Sequence, residues 1–192
     1  PNVDAEIESR KQEARQLLAL HSALPGTEEP LWKTLEISYF ARHEAADIAW
    51  HARSLWRHIQ TAEPVVRARL SSVGEGLQVL VYAPDAPDLF ARICGYFDSA
   101  GFSIQDAKIH TTRAGYALDT FQVVSSHLAG NQSAYRDLIS LVETQAATAT
   151  ASAGIEGSNR GRVSSRQSLR DARAGIDHRR LRRRSLGDRH LQ

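Results

Sequence analysis

The stretch LQVLVYAPDAPDLFARICGYFDSAGFSIQDAKIHTTRAGYALDTFQVV, residues 77–124, decides the fold of this chain. Its first residues alternate in the period of a strand with one buried face, the apolar set being Leu77, Val79 and Val81. Asp85 then offers an N-cap carboxylate with a proline shortly after it, which predicts the start of a helix. Along that helix apolar residues recur at steps of three and four: Leu89, Phe90, Ile93, Cys94 and Phe97.

The second half of the stretch returns twice to the period of a strand. Gly101 stands where a left-handed helix C-cap is expected. Alternation over 107–111 and a β-rich run over 116–124 flank the turn residues 112–115, and a helical stripe then ends near Thr144. The order βαββα predicts an α+β fold, a ferredoxin-like βαββαβ layer. Its last strand would have to lie in the tail, which shows no strand pattern, so one sheet edge is predicted to be unpaired.

Three segments carry a family resemblance: PDLFARIC at 87–94, DAKIHTTRAGYALDTFQV at 106–123 and YFARHEAADIAWHAR at 39–53. The first two resemble an ACT regulatory domain. With the third, they resemble the PII uridylyltransferase/uridylyl-removing enzymes, at the end of the connecting helices and the first of two ACT domains. The resemblance implies a connector from a phosphohydrolase domain over 1–64, an ACT domain over 65–145 and a linker with a disordered tail over 146–192.

Enzymes of this family transfer UMP from UTP to a tyrosine of the nitrogen-signalling protein PII when glutamine is low, and remove it when glutamine is high. The resemblance implies that Mg²⁺ and UTP are used by catalytic domains upstream of Pro1. It also implies three partners: PII, glutamine as effector, and a second ACT domain in cis or in a dimer. Because no residue here matches a catalytic motif, we expect this chain to be the allosteric, glutamine-sensing part, with neither a catalytic residue nor a cofactor or metal of its own.

The effector site is predicted at the start of the first ACT helix, facing the turn that follows the helix. Backbone N–H groups at a helix start favour a carboxylate, and an aspartate there can meet an ammonium group, so a free amino acid suits both. The resemblance implies the same use, often across a dimer interface. The predicted site residues are Asp85, Asp88, Leu89, Phe90, Gly101, Phe102, Ser103 and Ile104.

Two alternative functions are compatible with the same residues. One is the ACT domain of another amino-acid-regulated enzyme, and the other is a stand-alone amino-acid-binding module. Because the 192 residues begin with Pro1 and contain no Met, we expect a segment of a longer protein, which argues against the stand-alone module.

The first 64 residues are predicted to form three helices, over about 2–20, from Pro30 and from His43. The last has an apolar stripe that includes Trp56, and Pro64 fixes its end. Three tryptophans are too many apolar anchors for a free linker, so these helices should pack on the ACT unit or on an absent domain. Val65–Leu70 is predicted to be a short extended segment, and the two glycines in 74–76 to form a turn.

Composition excludes several protein classes. The single cysteine, Cys94, rules out an internal disulfide framework and is predicted to be a core residue. No apolar run reaches the roughly 18 residues that span a bilayer, and no leader pattern is present, so we expect a cytoplasmic protein that does not bind membranes.

The net charge of +2 hides an asymmetry between the tail and the rest of the chain. Residues 151–192 hold 11 Arg against four acidic residues, a balance of +7, which leaves −5 for residues 1–150. The tail lacks interleaved aromatic residues for base stacking, so nucleic-acid binding is not predicted. From about residue 167 the resemblance fails, and we interpret the tail as sequence read in a shifted frame or as the artefactual end of a partial gene.

Two polar patterns suggest chemistry but have a simpler interpretation. HEAAD, at 43–47, differs from the zinc motif HExxH by an aspartate at the second ligand position, so His43 and Glu44 are predicted to begin a helix. On that helix His51 is predicted at the surface, and His58 and His110 are predicted to be isolated. Lys108 and Asp119 flank the turn and are predicted to form a cross-strand ion pair.

Overall fold

In the computed structural model, which describes residues 2–151, four strands form one antiparallel sheet with helices on both faces. The helices are α1 (Val3–Leu20), α2 (Glu29–Trp32), α3 (Ile37–Arg42), α4 (Ala45–Leu55), α5 (Leu89–Ser99) and α6 (Gln132–Ala151). The strands are β1 (Val65–Leu70), β2 (Leu77–Pro84), β3 (Ser103–Thr111) and β4 (Tyr116–Val124). Every helix of residues 2–151 is too short or too polar to cross a bilayer.

The sheet has the strand order β1-β2-β4-β3 and all its pairs are antiparallel. The elements β2, α5, β3, β4 and α6 follow the predicted ferredoxin-like series. The expected unpaired edge beside β2 was wrong, because β1 occupies the position that the last strand of a βαββαβ unit normally takes. The exposed edge of β1 is covered in turn, since the Ala68 backbone N–H donates to Glu143 Oε2 of α6 at 3.1 Å.

Three helix boundaries differ from the predicted ones. The helix predicted from His43 ends at Leu55, well before Pro64. The helix predicted to start after Asp85 begins at Leu89 with Asp88 as N-cap residue. The last helix continues past Thr144 to Ala151. Alanine has a high helix propensity, and Ala146 also packs into the core at 1% exposure. The predicted C-cap is confirmed: Gly101 has φ +80°, and the N–H of Phe102 donates to the Phe97 carbonyl at 2.8 Å.

Strand β2 is buried on both faces, where the sequence predicted one. Leu80 and Tyr82 pack into a core with α1–α4, and the alternate residues Val79 and Val81 pack into a second core with α5 and α6. The helical layer α1–α4 therefore covers the face of the ACT sheet that would otherwise meet solvent. The sheet is the middle of three layers.

The helical layer contains four helices where three were predicted, because the segment from Pro30 breaks into α2 and α3. Trp32 and Trp50 are buried at 6% and 7% exposure, which confirms that the helices pack on the ACT unit, whereas Trp56 is 43% exposed. The predictions made for the tail lie outside the described residues, and the division into three regions at residues 65 and 146 stays a prediction.

Candidate functional site

The loop between β2 and α5 holds the first half of the predicted effector site. The Asp85 backbone N–H donates to the Gly115 carbonyl at 2.9 Å, which ties the loop to the β3–β4 turn. Partial burial raises the pKa of the Asp85 carboxyl above its usual range. Asp88 pairs with Arg92 at 2.6 Å and makes no side-chain cap bond to α5. Leu89 is a core residue, and Phe90 packs near Phe121.

The second half of the predicted site lies at the other end of α5. Gly101 and Phe102 follow the C-terminus of that helix, and Ser103 and Ile104 begin β3 beside the end of β4. An 11-residue helix, which at 1.5 Å per residue is about 16 Å long, separates the two halves. Within one chain the structure therefore does not bring the two groups together.

Asp119, which the sequence assigned to an ion pair, is the buried acid beside the first half of the site. It is 2% exposed and lies on the face of β4 that also carries Ala117 and Phe121, under α5 and α6. Its Oδ1 is buried and has no hydrogen-bond partner in the described residues 2–151. A buried acceptor without a partner is rare in folded proteins and needs a specific explanation.

The electrostatics around Asp119 favour a cation. Burial raises the pKa of its carboxyl well above the usual range, and the negative charge of Asp85 raises it further. A protonated amine placed between the two carboxyls would donate to the free Oδ1 and remove their mutual repulsion. Two acidic side chains, Asp85 and Asp119, thus lie near the start of α5, and the buried one has an oxygen without a hydrogen-bond partner in residues 2–151.

The predicted ion pair between Lys108 and Asp119 was wrong by one residue of register. Lys108 stands opposite Thr120, and Asp119 stands opposite Ile109. Since a shift of one residue moves a side chain to the other face of a sheet, Lys108 and Asp119 point away from each other. The Lys108 ammonium lies instead 3.9 Å from Asp106.

The opposite face of the sheet holds a cluster that the sequence did not predict, formed by His43, His51, His110 and Tyr39. The ring of His43 lies 5.1 Å from those of both His51 and His110. Tyr39 Oη is 2.6 Å from His51 Nδ1, and the Tyr39 carbonyl accepts from His43 Nδ1 at 2.9 Å. The expectations of a surface His51 and an isolated His110 were wrong, because helix packing on the sheet buries both to 9% exposure or less.

Burial keeps these imidazoles neutral. It lowers the pKa of His43 to about 4 and that of His110 to about 3, with nearby positive charges, including Lys108 and Arg42, adding to the effect. Burial also lowers the pKa of His51 well below its usual range. In residues 2–151 no group of three or more His, Cys, Asp or Glu side chains has the arrangement to hold a metal ion.

A family model described as the fifth domain of the uridylyltransferase GlnD matches residues 2–54, which is the helical layer α1–α4. Curated relatives match a larger part of the chain. One from Ralstonia nicotianae is 56% identical over 145 residues, 74% of this chain and 17% of the relative. One from Cupriavidus pinatubonensis is 54% identical over 134 residues, 70% and 15% of the two chains. One from Burkholderia mallei is 47% identical over 165 residues, 85% and 19%.

All three relatives are named bifunctional uridylyltransferase/uridylyl-removing enzyme. This chain spans less than a fifth of their length, as the shares of 15–19% show. No solved structure matches the chain.

Proposed function

Since this chain belongs to the family of bifunctional uridylyltransferase/uridylyl-removing enzymes, we propose that it is the regulatory part of such an enzyme and senses glutamine. The whole enzyme then attaches UMP to the PII signalling protein and removes it in the cytoplasm, using UTP and Mg²⁺ in domains outside this chain. The shared name of the relatives supports this function over the two alternatives, another amino-acid-regulated enzyme and a stand-alone module.

The observation that carries the proposal is the free Oδ1 of the buried Asp119, close to Asp85 at the start of α5. An α-ammonium group between these carboxyls satisfies that oxygen. The first-turn N–H groups of α5 then suit the α-carboxylate of the same ligand, since Asp88 makes no side-chain bond to them. A free amino acid carries both groups at the required short separation.

A second ACT domain has a clear place in this proposal. Residues 101–104 lie at the far end of α5, so they contribute to an effector site only if another ACT domain, in cis or in a dimer, brings its own loop to them. Each domain then supplies one half of two equivalent sites. The strand β3 is the free edge of the sheet in the described part of the chain and suits such a contact.

Thermal melting of the 192-residue chain with different amino acids tests the proposal. We expect L-glutamine, at ten times its dissociation constant, to raise the Tm by about 3–6 °C. D-glutamine and L-glutamate should raise it by less than a third as much, because they misplace or add a charged group. Equal shifts with all three ligands, or none with L-glutamine, would refute glutamine sensing by this chain.

A further inference from the structure

The turn between β3 and β4, residues 112–115, lies between the proposed glutamine site and the helical layer. On one side, the backbone N–H of Asp85 donates to the Gly115 carbonyl at 2.9 Å. On the other side, the backbone N–H of Arg113 donates to the Thr34 carbonyl, also at 2.9 Å. Thr34 belongs to the loop that joins α2 to α3. The turn is therefore hydrogen-bonded both to the loop before α5 and to the helical layer.

The side chain of Arg113 binds the same loop of the helical layer. Its Nε and Nη2 donate to the two carboxylate oxygens of Glu36, at 2.7 and 3.3 Å, and its Nη1 donates to the Lys33 carbonyl at 3.0 Å. With the backbone bond, this one residue makes four hydrogen bonds to the loop, which we call the Arg113 clasp. A forked pair of arginine and carboxylate fixes orientation as well as distance, so the clasp sets how the loop lies on the turn.

The turn itself is held closed by three hydrogen bonds. The Thr112 N–H donates to the Tyr116 carbonyl at 2.7 Å, and the Gly115 N–H donates to the Thr112 carbonyl at 3.0 Å. The Tyr116 N–H donates to the Thr112 hydroxyl at 3.1 Å, and Thr112 is buried at 4% exposure. Because these bonds join the turn into one unit, a displacement of Gly115 also moves Arg113.

The part of the helical layer that the clasp holds has little structure of its own. Helix α2 has four residues and α3 has six, and helices this short are not stable alone. The side chains of Arg113 and Glu36 are 55% and 56% exposed, so water screens their ion pair and lets it open and close. The position of α2 and α3 therefore depends on contacts that can form and break, the clasp among them.

We propose that the turn 112–115 couples glutamine binding to the helical layer, with Arg113 as the residue that transmits it. This coupling rests on the glutamine site proposed above. A ligand held by Asp85 and Asp119 orders the loop before α5, and the bond from Asp85 to Gly115 passes that order to the turn. The Arg113 clasp is then closed for a larger fraction of the time, and α2 and α3 are held in one position. By reciprocity, a closed clasp strengthens ligand binding.

Amide hydrogen exchange of the 192-residue chain, followed by NMR without ligand, tests the coupling itself. Arg113→Ala removes three of the four bonds of the clasp. We expect the Asp85 amide to exchange at least threefold faster in this variant, relative to the amide of Val81 in the middle of β2. The matched control is Arg10→Ala, which removes side-chain bonds to two carbonyls of α3 inside the helical layer and should leave the Asp85 amide unchanged. An Asp85 amide that is unchanged in Arg113→Ala, or accelerated equally in both variants, would overturn the proposal.

Titration with L-glutamine then connects the clasp to the effector site. In the unsubstituted chain, saturating L-glutamine should slow exchange of the Arg113 amide at least threefold relative to that of Val81. L-Glutamine should bind Arg113→Ala at least threefold more weakly than the unsubstituted chain, and Arg10→Ala with unchanged affinity.

Two outcomes of this titration separate the coupling from the glutamine site. Equal binding of L-glutamine to all three chains would overturn the coupling and leave the glutamine site in place. An unsubstituted chain that does not bind L-glutamine would refute the glutamine site, and the coupling with it, even if exchange without ligand had shown that Arg113 affects the Asp85 amide.

Discussion

Asp119 of β4 and His110 of β3 lie on paired strands, one residue out of register, and their side chains lie on opposite faces of the sheet. The Asp119 side chain lies under α5, beside the proposed glutamine site. The His110 ring contacts His43 and Tyr39 of the helical layer. A single pair of strands thus carries both clusters of buried titratable groups, the acidic one on one face and the histidines on the other.

Asp119→Asn should stabilise the chain at high pH. The raised pKa means that the folded state holds a proton which the unfolded state releases, so the stability from Asp119 is complete below about pH 3.8 and is lost as the pH rises through the folded pKa. The asparagine side chain does not ionise, so the variant avoids the cost of a buried negative charge. We expect roughly 1–3 kcal/mol of added stability at pH 8. Urea unfolding at pH 5 and pH 8 measures this difference in stability.

The control is Asp106→Asn, at an exposed site, which should show no such gain. An Asp119→Asn chain that is less stable than the unsubstituted chain at pH 8 would contradict the account.

The buried histidines should make the chain sensitive to acid. In the folded state the pKa is about 4 for His43 and about 3 for His110, whereas in the unfolded state it is about 6.5. Between these values the unfolded state binds protons that the folded state does not bind. Unfolding free energy should therefore fall as the pH drops below 6.5, by up to roughly 1.4 kcal/mol per pH unit for each ring.

The variant His110→Leu isolates one part of that pH dependence. Asp119, which has the opposite pH dependence, is present in both chains and cancels in the comparison. Denaturant titrations between pH 7 and pH 4 should show a flatter slope for His110→Leu than for the unsubstituted chain. His127→Gln, at an exposed position, should leave the slope as it is, and an unchanged slope in His110→Leu would rule out burial of a neutral ring.

Two glycines should respond in opposite directions to alanine. Gly76 has φ +107°, and an added Cβ would lie 2.1 Å from the Val123 carbonyl oxygen. Gly76→Ala should therefore cost more than about 2 kcal/mol, from backbone strain and displacement of β4. Gly95 lies inside α5, and apart from its chain neighbours and the backbone of its own helix no heavy atom lies within 4 Å of such a Cβ, so Gly95→Ala should gain about 0.5–1 kcal/mol. Thermal unfolding of the two variants measures both values, and changes of the same sign would contradict this prediction.

The stability of the contact between α4 and β1 should depend on the planar guanidinium of Arg69 and not on its positive charge alone. Arg69 pairs with Asp47 at 2.6 Å, donates to Gln78 at 2.8 Å and stacks on Trp50. Lysine has no planar fork for these contacts, so Arg69→Lys should cost roughly 1–2 kcal/mol. The exposed pair of Lys11 with Glu8 gives the control, since Glu8→Gln should change stability by less than about 0.5 kcal/mol. Equal losses in chemical denaturation would refute the distinction.

Local pattern predicted the elements of the ACT unit well, because strand alternation, caps and turn residues act over a few positions. The turn at 112–115 and the C-cap at Gly101 are examples, both confirmed by left-handed glycines. The same information could not place β1 on the edge beside β2, since that pairing depends on how the chain enters the sheet. A strand before the βαββα series can fill the same edge as a strand after it.

The candidate sites were harder to predict because they depend on register and on contacts between distant residues. Counting back from the turn gave a register one residue off, which hid the buried position of Asp119. His43 and His110 are 67 positions apart in the sequence and meet only when the helices pack on the sheet. The sequence did contain a signal for the burial of Asp119. It lies two positions from both Ala117 and Phe121, on the apolar face of a strand predicted to be half buried.

Calorimetric titration of L-glutamine into the 192-residue chain and into its Asp119→Asn variant tests the central claim most directly. The account predicts saturable binding to the unsubstituted chain, at least tenfold weaker binding to Asp119→Asn, and unchanged binding to Asp106→Asn, with all three chains folded by circular dichroism. Glutamine binding of equal strength in all three would contradict the assignment of Asp119 to the site. An absence of binding to the unsubstituted chain would contradict glutamine sensing by this chain.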